Sequence, residues 1–218
     1  MADPASAVWN AVLLVFLGWL LGLLGPIIVD FIKTHYKNIE IRRAIVAELA
    51  DLRFRLATAI FLIESRFGTY DRKLLEWTLP ILESYKGPNP SDVVIDSIRK
   101  QLALPDEQIA AMGRQVAGVP GGALSVKKYH LPYIDSRFSD LGIFDEKSRA
   151  LILDIRARLN LFNEEVDQAR FYFELTYSSG VSDANYVRAT NGVTDTYRNM
   201  TTMARTIVDR IDKLIPRS

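Results

Sequence analysis

AVLLVFLGWLLGLLGPIIV, residues Ala11 to Val29, holds no charged side chain between Asn10 and Asp30. As a helix rising about 1.5 Å per residue, this stretch is about 30 Å long, the thickness of a bilayer's hydrocarbon core. It is apolar on every side, so it has no face to turn toward water. The stretch therefore predicts a transmembrane anchor over residues 1–33, with the lipid bilayer as partner, and a separate domain over residues 34–218.

Flanking residues separate an anchor from a secretory signal. A signal carries a basic n-region, about 7–15 apolar residues and an A-x-A-like cleavage site. Met1 to Asn10 contains no Lys or Arg, the apolar run is longer, and no such site follows it. Lys33, Lys37, Arg42 and Arg43, with His35, crowd the C-terminal flank, whereas the N-terminal side carries only Asp3. Basic residues close to a span stay in the cytoplasm. The expected topology is single-pass, with the N-terminus outside and the C-terminal domain cytoplasmic. The absence of cysteine agrees with a reducing compartment.

Beyond the span remain about 185 residues, a usual size for one domain. All 27 basic residues, and every one of the 26 acids except Asp3 and Asp30, lie from Phe31 onward. The resulting net charge, about +3, is too small to point to nucleic acid by itself.

The periodicity of this part is helical. Ile45, Leu49, Leu52, Leu56, Ala59, Ile63 and Phe67 recur every three or four residues, with Gly68 as a stop. Ile152, Ile155, Leu159, Phe162, Val166, Ala169 and Phe173 form a second stripe, on a helix of about 30 residues beginning after Asp145. A third comprises Val187, Thr190, Thr194, Tyr197, Thr201, Ala204, Val208, Ile211 and Ile215 after a Ser182 or Asp183 cap. Its threonines can bond back to the helix's own carbonyls. The last two runs, joined by Ser178 to Gly180, read as an antiparallel helical hairpin.

Shorter helices are expected at Asp71–Tyr85, kinked at Pro80, at Asp92–Ala103 behind a Ser91 cap, and at Asp106–Val116 through Ile109, Met112 and Val116. Gly118 to Gly122 breaks regular structure. The expected fold class is all-α: one N-terminal transmembrane helix, then a cytosolic helical bundle ending in the long hairpin. Within it, residues 34–85 hold the first helices, 86–131 the short helices and glycine-rich loop, and 132–218 the hairpin.

Within the span, Asn10, Gly18, Gly22 and Gly25 fall inside an arc of about 120° at about 100° per residue. Small residues let helices in lipid approach closely, and an asparagine there gains by bonding a second chain. This face predicts a homo-oligomer. Pro26 is expected to kink the span, Asp30 to sit among headgroups, and Trp9 to mark the outer interface.

Reaction chemistry is sparse. His35 and His130 have no ligand-spaced partners, and there is no cysteine, phosphate-binding loop or nucleophile motif. The reading is therefore no enzyme, no cofactor and no metal. Basic and aromatic residues mix at Arg53, Arg55 and Arg66, at Lys127, Lys128, Tyr129 and His130, and at Arg188 and Arg198. Such groups can bind phosphate and stack bases, which makes a nucleotide or oligonucleotide ligand one reading. Glu48, Asp51 and Glu64 lie near the first set and favour the other, a salt-bridged helical surface.

The span AVLLVFLGWLLGLLG, its basic flank and a helical domain without catalytic motifs together resemble the small membrane effectors of bacterial antiphage systems, including the DNA-gated Hailong type. The resemblance covers the domain order of the chain. It implies an oligomeric membrane channel held shut or opened by a cytosolic ligand. The other expectation from the sequence is an anchored, non-conducting scaffold that binds a cytosolic protein partner.

Overall fold

The computed structural model describes residues 4–88, 92–118, 124–180 and 182–215, with backbone alone at 4–8 and 10–12. The expected Ser91 cap and most of the glycine loop lie outside the described residues. So does the side chain of Asn10. Among the described residues the chain is all-α, without strands.

Helix α1 (Pro4–Phe67) runs unbroken through Pro26. The chain divides into two units, one ending at Ala44 and the other beginning at Ile45. In the first unit every large apolar side chain from Leu13 to Val29 except Leu20 is exposed, Val15 at 74% and Trp19 at 61% among them. This part of α1 is long and apolar enough to cross a membrane.

The second unit is a helical bundle. From Ile45 the exposed periodicity gives way to a buried stripe of Ile45, Leu49, Leu52, Leu56, Ala59 and Ile63, widened by Ala57 and Ile60. Phe67 closes the helix half-buried, its ring stacked on Tyr197 at 5.0 Å between centroids. Gly68 donates its N–H to the carbonyl of Glu64, the Glu64 carboxylate accepts from the N–H of Thr69, and the carbonyl of Arg66, one of those the last turn leaves unpaired, accepts from the N–H of Gly118 at 2.8 Å.

Helices α2 (Arg72–Glu83), α3 (Asp92–Leu102) and α4 (Asp106–Val116) cover another face of α1. Leu75, Leu82, Ile95, Ile98 and Ile109 form their core, with Phe54 and Phe61 of α1 packed against it. The Asp71 carboxylate caps α2 by accepting from the N–H of Leu74 at 2.9 Å. In α4 the expected apolar line through Ile109, Met112 and Val116 holds at Ile109 and half-buried Met112 and shifts at its end. Ile109 and Gly113 are buried and Val116 is exposed, because Tyr70 lies against Gly113 and turns that flank inward.

Residues 132–145, for which the periodicity predicted no separate element, form the short α5 (Pro132–Ser136) and a 3-10 helix at Phe138–Ile143. The long hairpin follows as α6 (Glu146–Thr176) and α7 (Asp183–Leu214), capped by Asp145 and Ser182. Gly180, at φ 83°, supplies the left-handed residue of the connection. α6 buries Ile152, Ile155, Leu159, Phe162, Val166 and Ala169 as its heptads predict, with Phe173 half-buried.

α7 departs from its predicted stripe in the first half. Val187 is exposed and Thr190 and Thr194 are half-buried, while Ala189, Val193, Thr196 and Met200 face inward. The cause is a close approach: the Tyr172 ring of α6 lies over Gly192, where a Cβ would meet its atoms at 2.8 Å. From Tyr197 to Ile211 the predicted stripe is the buried one. Thr194, Thr196, Thr202 and Thr206 donate to their own helix's carbonyls, whereas the buried hydroxyls of Thr190 and Thr201 have no partner among the described residues.

Candidate functional site

The candidate association face of the span is open. At Gly18, Gly22 and Gly25 an added Cβ would meet no atom of the chain within 4 Å. Nothing inside the molecule requires glycine there, so a larger side chain would be felt only by whatever packs from outside. Only the three glycines of that expected face are described with their surroundings.

In the helical unit, four of the nine basic and aromatic residues singled out from the sequence come together. Arg55, Lys128 and Tyr129, with His130, line a cleft of about 300 Å³ beside Glu48 and Asp51. Arg55 pairs with Asp51 at 2.7 Å, one helical turn earlier, and Lys128 pairs with Asp167 of α6. Glu48 accepts from the N–H groups of Tyr133 and Ile134 at 2.8 and 2.9 Å and so holds the start of α5 against α1. Two carboxylates thus serve the two cations, and the third is held by main-chain N–H groups. A phosphate entering this cleft must break ion pairs already made, whereas a zwitterion or a small polar ligand need not.

Tyr129 is fixed more firmly than its neighbours. Its main chain makes two bonds to one side chain: its N–H donates to Oδ1 of Asn163 at 3.0 Å, and Nδ2 of Asn163 donates to its carbonyl at 2.8 Å. Its ring stacks on Phe162 at 5.8 Å between centroids. Burial raises the Tyr129 phenol above its usual pKa, opposed in part by the charge of Arg55. The hydroxyl therefore stays protonated at neutral pH and reaches the carbonyl of Arg55 at 3.5 Å.

The other five residues lie elsewhere, Arg66 among them as an exposed side chain in the last turn of α1. Arg53 points away from the cleft: Nε sits 2.5 Å from Asp212 of α7 and a terminal nitrogen donates to Ser84 Oγ at 2.8 Å. With its side chain only 11% exposed, it ties helices together. Lys127 is exposed beside a second, smaller cavity. Arg188 lines a cavity of about 600 Å³ near the hairpin's closed end, with Tyr172 and Asp195. Arg198 is exposed and pairs with Asp195 at 2.9 Å.

Sequence reasoning passed over Asn163, and placed Tyr197 on the buried stripe of α7 without a partner for its hydroxyl. Tyr197 Oη accepts from the N–H of Leu124 at 2.7 Å and donates to its carbonyl at 3.2 Å. Burial raises its pKa, against the hydrogen bond from Leu124, so it too remains a donor at neutral pH. No periodicity marks Asn163; an asparagine on an otherwise charged helix face is the only local sign. Among the described residues no group of three or more His, Cys, Asp or Glu is placed to hold a metal. No family model, curated protein or solved structure matches this chain, so the reading of its function rests on its own residues.

Proposed function

We propose that the chain is a single-pass membrane protein that homo-oligomerises through its span and acts without enzymatic chemistry as a membrane-permeabilising effector or ion channel, gated by a ligand or partner of the cytosolic domain. The observation that carries this reading is the α1 segment from Leu13 to Val29, whose apolar side chains are uncovered while Gly18, Gly22 and Gly25 border open space. In lipid such a helix gains from close approach of a second copy along its small residues. The basic residues after Asp30 support a cytoplasmic helical domain and an outer N-terminus. The order of span and helical domain is also that of the antiphage membrane effectors the sequence resembles.

The second reading is a non-conducting anchored scaffold, and the cleft at Arg55 favours it. Its cations are already paired, so a nucleotide or oligonucleotide has to outcompete Asp51 and Asp167 there. Ion flux in liposomes carrying the purified full chain separates the two. Conductance lost in Gly22→Leu supports the channel. A stable oligomer that never conducts, with or without added cytosolic extract, leaves the scaffold.

A further inference from the structure

Another polar cavity lies in the helical unit, away from the cleft at Arg55. It measures about 330 Å³ and sits where the C-terminal end of α1 meets the middle of α7. Glu64 and Thr69 line it from α1 and the turn that follows, Thr194 and Thr201 from α7, and Ile63 and Phe67 supply an apolar wall. Thr201 is the residue there that the fold itself does not explain. It is 6% exposed, and its hydroxyl has no hydrogen-bond partner among the described residues. Four other threonines of α7 return their hydroxyls to a carbonyl of the preceding turn. Thr201 does not, which leaves its donor and its acceptor for an occupant of the cavity it lines.

Glu64 is only half committed. One of its carboxylate oxygens accepts from the N–H of Thr69 at 3.1 Å. The other lies 4.0 Å from a terminal nitrogen of Arg205, beyond hydrogen-bonding distance, and that guanidinium is engaged over the Trp77 ring at 4.6 Å. The charge around the cavity therefore favours a cation. α1 ends here and presents the negative end of its dipole beside the open oxygen of Glu64. Arg198, which also lines the cavity, does little to oppose this, because it pairs with Asp195 at 2.9 Å and its side chain is 73% exposed. An anion would meet a carboxylate and a helix C-terminus together.

We propose that this cavity binds a small aliphatic ammonium ion. An ammonium group carries three donors and no acceptor. It donates to the open oxygen of Glu64 and to the hydroxyl oxygen of Thr201, while the alkyl chain lies against Ile63 and Phe67. Thr194, whose hydroxyl proton goes to the carbonyl of Thr190, keeps lone pairs for the third donor. The site lies wholly within the helical unit, so it does not depend on whether the span associates or conducts.

The test titrates the full chain, in micelles of an uncharged detergent, with n-butylammonium chloride in a calorimeter, and separately with n-butanol and with inorganic phosphate. One saturable site for n-butylammonium is expected, and none for the other two. Glu64→Gln keeps an oxygen for the N–H of Thr69 and should weaken binding about tenfold or more. Thr201→Val keeps the shape of the side chain and should weaken binding several-fold. It should not lower the melting temperature of the free protein, since no hydrogen bond is lost. Glu107→Gln, at an exposed acid of α4, should change nothing. An equal loss in Glu107→Gln would mean diffuse attraction of cations to an acidic surface, which overturns the proposal. So would n-butanol binding as tightly as n-butylammonium, or a saturable site for phosphate. A Thr201→Val chain that melts lower but binds normally would return that hydroxyl to the fold and sink the site. No saturable heat from n-butylammonium would leave water as the occupant and overturn the proposal outright.

Discussion

Two stretches of the same helix, Leu13 to Ile32 and Ile45 to Ile63, are both rich in Leu and Ile, yet they solve opposite problems. The second interleaves Glu48, Asp51, Arg53 and Arg55 with its apolar residues and buries a stripe that reaches 0% exposure at Ile45, Leu49, Leu56 and Ile60. The first has no such interleaving before Asp30 and leaves Leu14, Val15 and Leu21 exposed at 67% or more. Helix propensity does not distinguish them, since Leu and Ile serve both. What differs is the solvent each pattern demands: water on one side for the second, hydrocarbon all round for the first.

The sharpest way to break this comparison is to truncate one apolar residue of the bundle and one of the span. Phe162→Ala, in the fully buried stripe of α6, should cost about 3–5 kcal/mol, and Leu159→Ala about 2–5 kcal/mol. Leu17→Ala in the span should leave the helical domain within about 0.5 kcal/mol of wild type. Chemical denaturation in detergent, followed by tyrosine circular dichroism, reads both. An equal loss in Leu17→Ala would mean that the span is part of the bundle's core.

Arg53 tests whether charge in the bundle is structural. Arg53→Ala removes the charged donor from which Asp212 and the Ser84 hydroxyl accept, and should cost about 1.5–3 kcal/mol, the range for hydrogen bonds to charged groups. Wild-type stability with altered ligand response would make it a binding residue instead. Smaller again is the α2 cap: Asp71→Ala should cost about 1 kcal/mol in the same assay, because the N–H of Leu74 loses its acceptor.

In the span the expected effect on folding is near zero and the effect on assembly is not. At Gly22 an added Cβ meets nothing within 4 Å beyond its own helix backbone, so in Gly22→Leu the melting of the helical domain should be unchanged while crosslinked oligomer falls. Leu20→Ala, on another face, should leave crosslinking intact. Identical oligomer yields from both variants would remove the glycine face from the interface.

The smallest effect is a pH dependence. Hydrogen bonds from the N–H and hydroxyl of Ser148 hold the Asp145 carboxyl below its ordinary pKa of 3.8. A depressed pKa contributes stability above the unfolded value, and this is lost as pH falls through the folded one. Asp145→Asn should therefore flatten the acid limb of the stability profile as pH falls below the ordinary carboxyl value. An unchanged limb would assign acid sensitivity to other carboxylates.

The elements were legible wherever they rest on a local pattern. Asp145 and Ser182 cap the hairpin because a short polar side chain before an apolar run satisfies an orphan N–H a few residues on. The heptads of α6 name its buried residues because nothing on the opposite helix forces a rotation. In α7 the same reasoning fails before Tyr197. Tyr172 presses on Gly192, and a bulky ring against a glycine turns the helix so that Ala189 and Val193, not Val187 and Thr194, face inward. The site was legible only as a list of basic and aromatic residues, of which Arg55, Lys128 and Tyr129 share a cleft.

Sequence alone was enough for the apolar length of the span, its basic flank, the all-α class and the long hairpin, since each depends on residue spacing within a few turns of one helix. Tertiary structure was needed to decide which polar groups meet. Asn163 finds the main chain of Tyr129 at 34 residues' separation, and Tyr197 finds that of Leu124 at 73. Glu48 reaches the N–H groups of Tyr133 and Ile134 across a still greater gap. Periodicity states that a side chain lies on a buried face. The partner it finds there is set by how helices distant in the chain pack, and a side-chain amide or phenol that grips main chain leaves no mark on the sequence of the segment it holds.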